Sequence, residues 1–252
     1  MPISKDFTSV YSHNWEINFL QCTPNGLLKH TELCNILQLT AGYHAELGGI
    51  NFTDMQLHDQ AWVLSRMRVE IEALPKWGDL ITVTTWIYDL QGSRSIRAFE
   101  VHVGKQKLIG SVTYWAVFNT KFRKAEALAL PHEHVIKYPE RKATAESFKK
   151  VNVPTDAALH SDRKVVLSDV DIVNHANNVK YLEWCLDAID PRPVLKQRLK
   201  SFDMNFMREL QMGDAVQIYT DKQENTTFFS INKDGKPCFA LELGWKQNNI
   251  NF

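Results

Sequence analysis

Two stretches of the chain share one pattern around a Gly-Asp pair: residues 69–83, VEIEALPKWGDLITV, and residues 204–218, MNFMRELQMGDAVQI. Aligning Gly78-Asp79 with Gly213-Asp214 keeps apolar and polar side chains alternating in phase, as strands joined by a turn require. The apolar positions that match are Val69 with Met204, Ile71 with Phe206, Trp77 with Met212, Ile81 with Val216, and Val83 with Ile218. Since Gly-Asp turns are common, coincidence stays open here, but the match favours an internal repeat.

The segments around each stretch follow one order, with a helix first and strands after it. Apolar spacing of three and four residues predicts a helix of about five turns that ends near Gly48-Gly49, and a second helix over 177–189. Alternating runs predict strands over 62–74, 80–89, 95–103 and 107–118, and again over 163–168, 200–210, 215–221, 226–232 and 237–245. The sequence therefore predicts an α+β fold with two copies of an antiparallel sheet, each wrapped around one long helix.

A polar segment separates the two copies. Residues 139–163 are charged, contain prolines at 139 and 154, and lack apolar periodicity. This composition is typical of a linker. We predict a first domain over residues 1–138, a linker over 139–163 and a second domain over 164–252.

Composition excludes several classes of protein. The 252 residues include 29 basic and 29 acidic side chains, so no net charge attracts nucleic acid. No stretch approaches the roughly 18 apolar residues of a membrane helix. The four cysteines form no C-x-x-C pair, which is typical of reduced thiols. We expect a cytoplasmic protein that binds no nucleic acid and spans no membrane.

The densest polar cluster, residues 168–181 (SDVDIVNHANNVKY), lies where the second helix begins. Unpaired N–H groups of a first helical turn favour an oxyanion or a polarised carbonyl. The alternative is helix capping, with Asn174 or Asn177 accepting from first-turn amides and the aspartates favouring the helix dipole. Capping leaves His175 unexplained. We therefore treat this segment as a candidate active site.

Glu209 is a second candidate because its counterpart in the first copy is Leu74. The alternative is an exposed glutamate paired with Arg208. The first helix begins with nothing equivalent to Asp171 or His175, so one site per chain is expected. No metal or other cofactor is predicted. His132 and His134 lie between prolines without a third ligand nearby, and the chain has no glycine-rich phosphate loop.

These residues match a known signature. Asp171-Ile-Val-Asn-His175-Ala-Asn-Asn-Val-Lys-Tyr181 resembles the D-x-N-x-H-x-N-N-V-x-Y pattern of the acyl-acyl-carrier-protein (acyl-ACP) thioesterases, plant and bacterial enzymes that end fatty acid synthesis. Residues 62–67, 75–79 and 85–86 are similar to the first-half signature of that family, and 206–209 to the segment with its second-half glutamate. The resemblance covers nearly the whole chain and implies a double hotdog fold, in agreement with the repeat.

The resemblance also implies catalytic residues. The family's Asp falls on Asp171, its His on His175 and its Glu on Glu209. Its Asn should stand two residues before the His, where this chain has Val173, with Asn174 one place later. Either Asn174 takes over, or the role is dispensable, or activity is reduced. A leucine follows Glu209 where some relatives have a cysteine, which argues against a thiol nucleophile.

The activity implied by the resemblance is hydrolysis of the thioester between a fatty acyl chain and a carrier protein. Glu209 is predicted as general base, with burial on an apolar strand raising its pKa toward neutrality. His175 would hold the water or the thioester carbonyl, and Asp171 would orient the loop. Backbone amides near Asn177 and Asn178 would stabilise the oxyanion.

The implied acyl chain needs an apolar tunnel, which we expect in the first half, around Trp62, Met67, Trp77 and Trp86. The implied partner is acyl carrier protein with an acyl-phosphopantetheine arm. A homodimer is compatible with the resemblance because hotdog domains commonly pair. Three alternatives stay open: an acyl-CoA thioesterase, a hotdog enoyl hydratase or dehydratase, and a non-catalytic protein that binds acyl thioesters.

Overall fold

The computed structural model describes residues 3–247 and divides them into two compact units. The first unit contains residues 3–67 and 73–148, and the second contains 68–72 and 149–247. None of the helices in this described part is long and apolar enough to cross a membrane.

The first unit is an antiparallel sheet packed against one long helix. Its strands are β1 (Val10–Glu16), β2 (Gln60–Ile71, of which residues 68–71 belong to the second unit), β3 (Leu80–Gln91), β4 (Arg94–Val103), β5 (Gln106–Asn119) and β6 (Lys124–Ala125), and its helices are α1 (His30–Leu47) and α2 (Phe52–Gln56). The sheet order is β1-β3-β4-β5-β2, with β6 on β5. Helix α1 packs on β1 and β3 and ends at Gly48, as the spacing predicts.

The second unit repeats this plan with shorter elements. They are β7 (Ala158–Lys164), α3 (Asn178–Asp187), α4 (Pro191–Leu195), β8 (Leu199–Phe206), β9 (Ala215–Lys222), β10 (Thr226–Lys233) and β11 (Lys236–Trp245). The sheet order is β8-β11-β10-β9-β7, and α3 packs on β11. Phe202, Phe229 and Phe239 are fully buried in its core. A helix wrapped by an antiparallel sheet is the hotdog arrangement, so the α+β double hotdog prediction is confirmed.

Matching backbone hydrogen bonds confirm the internal repeat and its register. The matched bonds are Gly78 N–H to Ile17 O (2.9 Å) with Gly213 N–H to Val165 O (2.9 Å), and Leu28 N–H to Pro75 O (2.8 Å) with Ala176 N–H to Leu210 O (2.7 Å). Gly78 and Gly213 have φ angles of 82° and 93°, a conformation that glycine adopts without steric cost. The Gly-Asp pairs therefore mark the same turn in both copies.

One predicted strand is misplaced and one observed strand is missing from the sequence prediction. The strand expected over 163–168 lies at Ala158–Lys164 instead, within the predicted linker, and Leu167–Asp169 forms a 3-10 turn. β1 was not predicted at all. Both are edge strands with many exposed side chains, and backbone pairing to one neighbour needs no apolar pattern.

Residues 139–148 form a strap on the first unit. The Ala143 N–H donates to the Tyr88 hydroxyl (2.7 Å), and Lys107 Nζ donates to the Ala143 carbonyl (2.7 Å). The Arg141 guanidinium lies 3.9 Å from the centre of the Trp86 ring. A Cβ on Gly110 would clash with the Ala143 carbonyl oxygen, so the strap needs glycine there. This part of the predicted linker is anchored.

A buried polar cluster lies under the end of α1. Arg97 Nη1 donates to His44 Nδ1 (2.8 Å) and to Thr85 Oγ1 (3.2 Å), which leaves His44 Nε2–H to donate to the Thr8 carbonyl (2.9 Å). Burial, aided by the Arg97 charge, lowers the pKa of His44 to about 3. Burial alone lowers the pKa of His30 to about 4. The first unit thus buries two neutral histidines.

Candidate active site

The candidate site is built on a tight turn over residues 171–175. The Asp171 N–H donates to the His175 carbonyl (2.9 Å), and the Asn174 N–H donates to the Asp171 carbonyl (3.0 Å). Asp171 Oδ1 accepts from the backbone N–H groups of Val173 (3.0 Å) and His175 (3.3 Å). The Asp171 carboxylate therefore holds the turn that presents His175, and its part in catalysis stays a prediction.

The structure brings His175 and Glu209 together. His175 Nε2 lies 3.6 Å from Glu209 Oε2, and the two side chains are 25% and 30% exposed. Two backbone contacts fix the turn against the segment that carries Glu209. They are an antiparallel β-bridge between His175 and Gln211 and the hydrogen bond from Ala176 N–H to Leu210 O. The pair combines a carboxylate and an imidazole at a solvent-accessible point, which suits proton transfer.

The expected environment of Glu209 was wrong. β8 ends at Phe206, so Glu209 lies in the connection to β9 and not on a strand. The Met207 and Arg208 N–H groups both bond the Cys238 carbonyl (2.8 and 3.1 Å), which turns the chain out of the sheet. The Glu209 side chain is partly exposed, so it is not buried on an apolar strand as the sequence predicts.

The start of α3 lies directly after the turn. The Asn177 side chain caps the helix by accepting from the Val179 N–H (3.1 Å), so the capping interpretation is correct for this residue. The Asn177 N–H donates to the Asp169 carbonyl (2.8 Å) and is already used. The sequence predicts that backbone amides near Asn177 and Asn178 stabilise the oxyanion. Since the Asn177 N–H bonds Asp169, the prediction now rests on the backbone amide of Asn178, the first residue of the helix.

Asn174 is exposed and has a φ angle of 61°. Asparagine tolerates this left-handed conformation better than most residues. The matching position in the first copy is Gly26, with a φ of 77° and an equivalent bond from its N–H to the Thr23 carbonyl (2.8 Å). Backbone conformation therefore explains this asparagine, and its catalytic role stays a prediction.

Tyr181 belongs to the signature but was not chosen from the sequence as a site residue. Its side chain is buried between Phe206 and Phe239, with ring centroids 5.8 and 5.2 Å away. Burial, together with nearby groups that include Cys238 and Glu209, raises the pKa of Tyr181. A neutral Tyr181 thus supports the segment beside Glu209. Its position four residues after the capping Asn177, within the signature, was the available signal.

The residues predicted to bind the acyl chain do not form one cluster in the described structure. Trp62 packs with Ile50 and Met55, and its Nε1 donates to the Ile50 carbonyl (3.0 Å). Trp86 is buried in another cluster, under the strap. Met67 is buried, whereas Trp77 is 67% exposed. Their part in substrate binding stays a prediction.

His132 and His134, which lie between prolines, both make backbone contacts. One ring nitrogen of His132 bonds the Leu130 carbonyl (2.9 Å), and one of His134 bonds the Gly48 carbonyl (3.0 Å). Across residues 3–247, no three His, Cys, Asp or Glu side chains are grouped closely enough to hold a metal ion.

The fold and the site together define a hotdog protein with a carboxylate–imidazole pair next to a helix N-terminus. The sequence matches the acyl-ACP thioesterase N-terminal domain over residues 8–136 and the acyl-ACP thioesterase C-terminal domain over residues 153–246. The chain therefore belongs to the acyl-ACP thioesterase family, and the resemblance is confirmed.

Curated relatives include an acyl-acyl-carrier-protein hydrolase of Cuphea viscosissima, described as chloroplastic, at 28% identity over 75% of this chain and 49% of the relative. A chloroplastic oleoyl-acyl carrier protein thioesterase of Arabidopsis thaliana is also 28% identical, over 75% of this chain and 57% of the relative. The chain thus spans about half the length of these relatives.

Solved structures show the same fold. An acyl-ACP thioesterase from Bacteroides thetaiotaomicron matches with a TM-score of 0.86 and 23% identity, over 94% of this chain and 98% of that one. The 12:0-ACP thioesterase from Umbellularia californica matches with a TM-score of 0.79 and 19% identity, over 95% and 98%.

Proposed function

We propose that the protein hydrolyses fatty acyl thioesters carried on acyl carrier protein, releasing the free acid and ending chain growth. The observation that carries this proposal is the pairing of His175 with Glu209 at the signature positions of the family. The names of the relatives, which describe acyl-carrier-protein hydrolases and thioesterases, support the substrate class.

In the proposed reaction, Glu209 takes a proton from water while the water oxygen attacks the thioester carbonyl carbon. His175 orients that water or the carbonyl, and the C–S bond then breaks as the leaving sulfur receives the proton that Glu209 took from the water. Asp171 is a weaker candidate for the base because its Oδ1 already accepts two backbone N–H bonds. The geometry therefore favours Glu209 in that role.

Exposed apolar side chains near the pair support an acyl substrate. Ile172 (95% exposed) and Val173 lie in the turn with His175, and Met207 and Met212 flank the segment with Glu209. Apolar side chains left in solvent around a polar pair are typical of a surface that binds an apolar ligand.

We propose that the protein works in the cytoplasm. All four of its cysteines are free thiols, and free thiols persist in a reducing compartment.

The test is incubation of the protein with acyl carrier proteins and acyl-CoAs of several chain lengths, with released thiol and free acid both measured. We expect equal amounts of thiol and free acid, and a higher rate of release from acyl carrier proteins than from acyl-CoAs. A hydroxyacyl thioester without thiol release would identify a hydratase, and binding without either product a non-catalytic binder. Preference for acyl-CoA would move the substrate to that carrier. A Glu209→Gln sample controls for contaminating thioesterases.

A further inference from the structure

The side chain of Asp169, two residues before the turn over 171–175, forms hydrogen bonds with three separate parts of the second unit. The carboxylate is 2% exposed. It accepts from Arg163 Nη2 on β7 (3.2 Å), from Trp184 Nε1 on α3 (3.3 Å) and from the Val166 N–H (2.9 Å). The Arg163 guanidinium also lies 4.7 Å from the centre of the Trp184 ring. A buried charge with this many partners fixes the elements that it joins.

The contacts of Asp169 with Arg163 and Trp184 are specific to the second copy, whereas its bond with the Val166 N–H matches the bond between Gln21 and the Asn18 N–H. In the repeat, the positions that match Arg163, Asp169 and Trp184 are Trp15, Gln21 and Ile36. Gln21 closes a local capping box with Asn18 and, like Asp169, has a carbonyl that accepts from the residue before the helix (2.9 Å, from Lys29). The backbone frame is shared, whereas the charged contacts occur only where the His175–Glu209 pair is present.

The contacts of Asp169 continue into the candidate site. Its carbonyl accepts from the Asn177 N–H (2.8 Å), which ties it to the start of α3. Val170 and Ala176 then form a bridge that closes the turn, and the Ala176 N–H donates to the carbonyl of Leu210, the residue after Glu209. A change in the position of Asp169 therefore changes the position of the turn relative to Glu209.

We propose that Arg163, Asp169 and Trp184 are positioning residues that hold the turn over 171–175 so that His175 meets Glu209. This inference rests on the proposed function, because it assigns the network to the thioesterase reaction. Arg163 and Trp184 set the Asp169 carboxylate from two sides, and Asp169 sets the turn through its backbone. None of the three touches the reacting atoms.

The main variant is Asp169→Asn, which keeps the shape and removes the charge. We expect kcat to fall at least about tenfold with KM within about twofold, since the geometry of a catalytic pair affects the chemical step more than binding. The ring ¹⁵N chemical shifts of His175 in the ligand-free protein should move as well. Gln21→Asn, the matched change in the first copy, should alter neither quantity.

Two milder variants keep the test valid where Asp169→Asn fails to fold. Trp184→Phe removes one N–H donor from Asp169, and Arg163→Gln removes the charge partner. Each should lower kcat by a smaller factor than Asp169→Asn and shift the His175 signals in the same direction. Combining Arg163→Gln with Asp169→Asn should cost less than the product of the two single effects, because both act through one contact.

The ¹⁵N measurement separates this inference from the proposed function. If the wild-type protein hydrolyses no thioester, the proposed function fails, while shifted His175 signals in Asp169→Asn still support positioning. Folded variants with unchanged kcat and unchanged His175 signals would overturn the inference. An equal loss of kcat in Gln21→Asn would also overturn it.

Discussion

The turn over 23–27 in the first copy and the turn over 171–175 in the second have nearly the same backbone and different side chains. Thr23 N–H to Leu27 O (2.8 Å) matches Asp171 N–H to His175 O (2.9 Å), and each turn has one left-handed residue in the same place. The side chains that differ are Thr23 and Asp171, Gly26 and Asn174, Leu27 and His175, and Leu74 and Glu209. One backbone frame therefore serves structure in one copy and chemistry in the other.

The largest expected effect comes from removing the pair that distinguishes the two turns. Glu209→Gln and His175→Ala should each lower kcat on acyl carrier protein substrates by roughly 10²- to 10⁴-fold, the usual contribution of a general acid or base. The matched changes Leu74→Ala and Leu27→Ala should affect stability or binding and leave the chemical step intact. A similar loss of kcat from both copies would contradict a single site per chain.

The second expected effect concerns the buried histidines, which lie in the first unit. His30 and His44 stay neutral in the fold while the unfolded chain binds protons below pH 6.5, so stability falls as pH falls from 6.5 toward the folded pKa values of about 4 and about 3. Each contributes at most about 1.4 kcal/mol per pH unit. Urea unfolding between pH 7 and 4 measures the slope. His44→Gln, which can keep both hydrogen bonds, should reduce it, and an unchanged slope would contradict the assignment.

The third expected effect separates backbone from side chain at Asn174. Asn174→Gly copies the first turn, so it should keep turnover within about twofold, whereas Asn174→Ala should lower the free energy of unfolding by about 1 kcal/mol because alanine is strained at positive φ. Steady-state kinetics and thermal unfolding of both variants are the measurements. A loss of tenfold or more in the glycine variant would assign the amide the catalytic role suggested by the resemblance.

The smallest expected effect concerns carrier-protein docking by basic clusters at 121–124, 141–142 and 149–150. Lys121 is 69% exposed, whereas Arg141 packs on Trp86 and Lys149 bonds Glu242 (2.6 Å). Lys121→Glu with Lys124→Glu should raise KM for acyl carrier protein about threefold and hardly change it for acyl-CoA. Added salt should shrink the difference. Reversal of all three clusters without any change would exclude them as the docking surface.

The sequence predicted the repeat, α1 and most interior strands because buried faces impose a regular spacing of apolar residues. It also indicated His175, which helix capping leaves unexplained, and Glu209, which replaces an apolar residue of the first copy. It missed β1 and misplaced β7, because edge strands are held by backbone bonds that leave no apolar signal. It did not predict the contacts of Asp169, because its partners Arg163 and Trp184 meet it only through tertiary contacts.

The strap over 139–148 decides how the chain can be divided in the laboratory. A first repeat that ends at residue 138 would lose the Arg141 carbonyl that accepts from Trp86 Nε1 (3.0 Å) and would uncover the aromatic side chains packed around Ala143. Extending it to residue 148 keeps that cover, yet residues 68–72 still belong to the other unit. The repeat divides the sequence into two recognisable halves, but a fragment for biophysical work has to be cut by contacts and not by the boundary of the repeat.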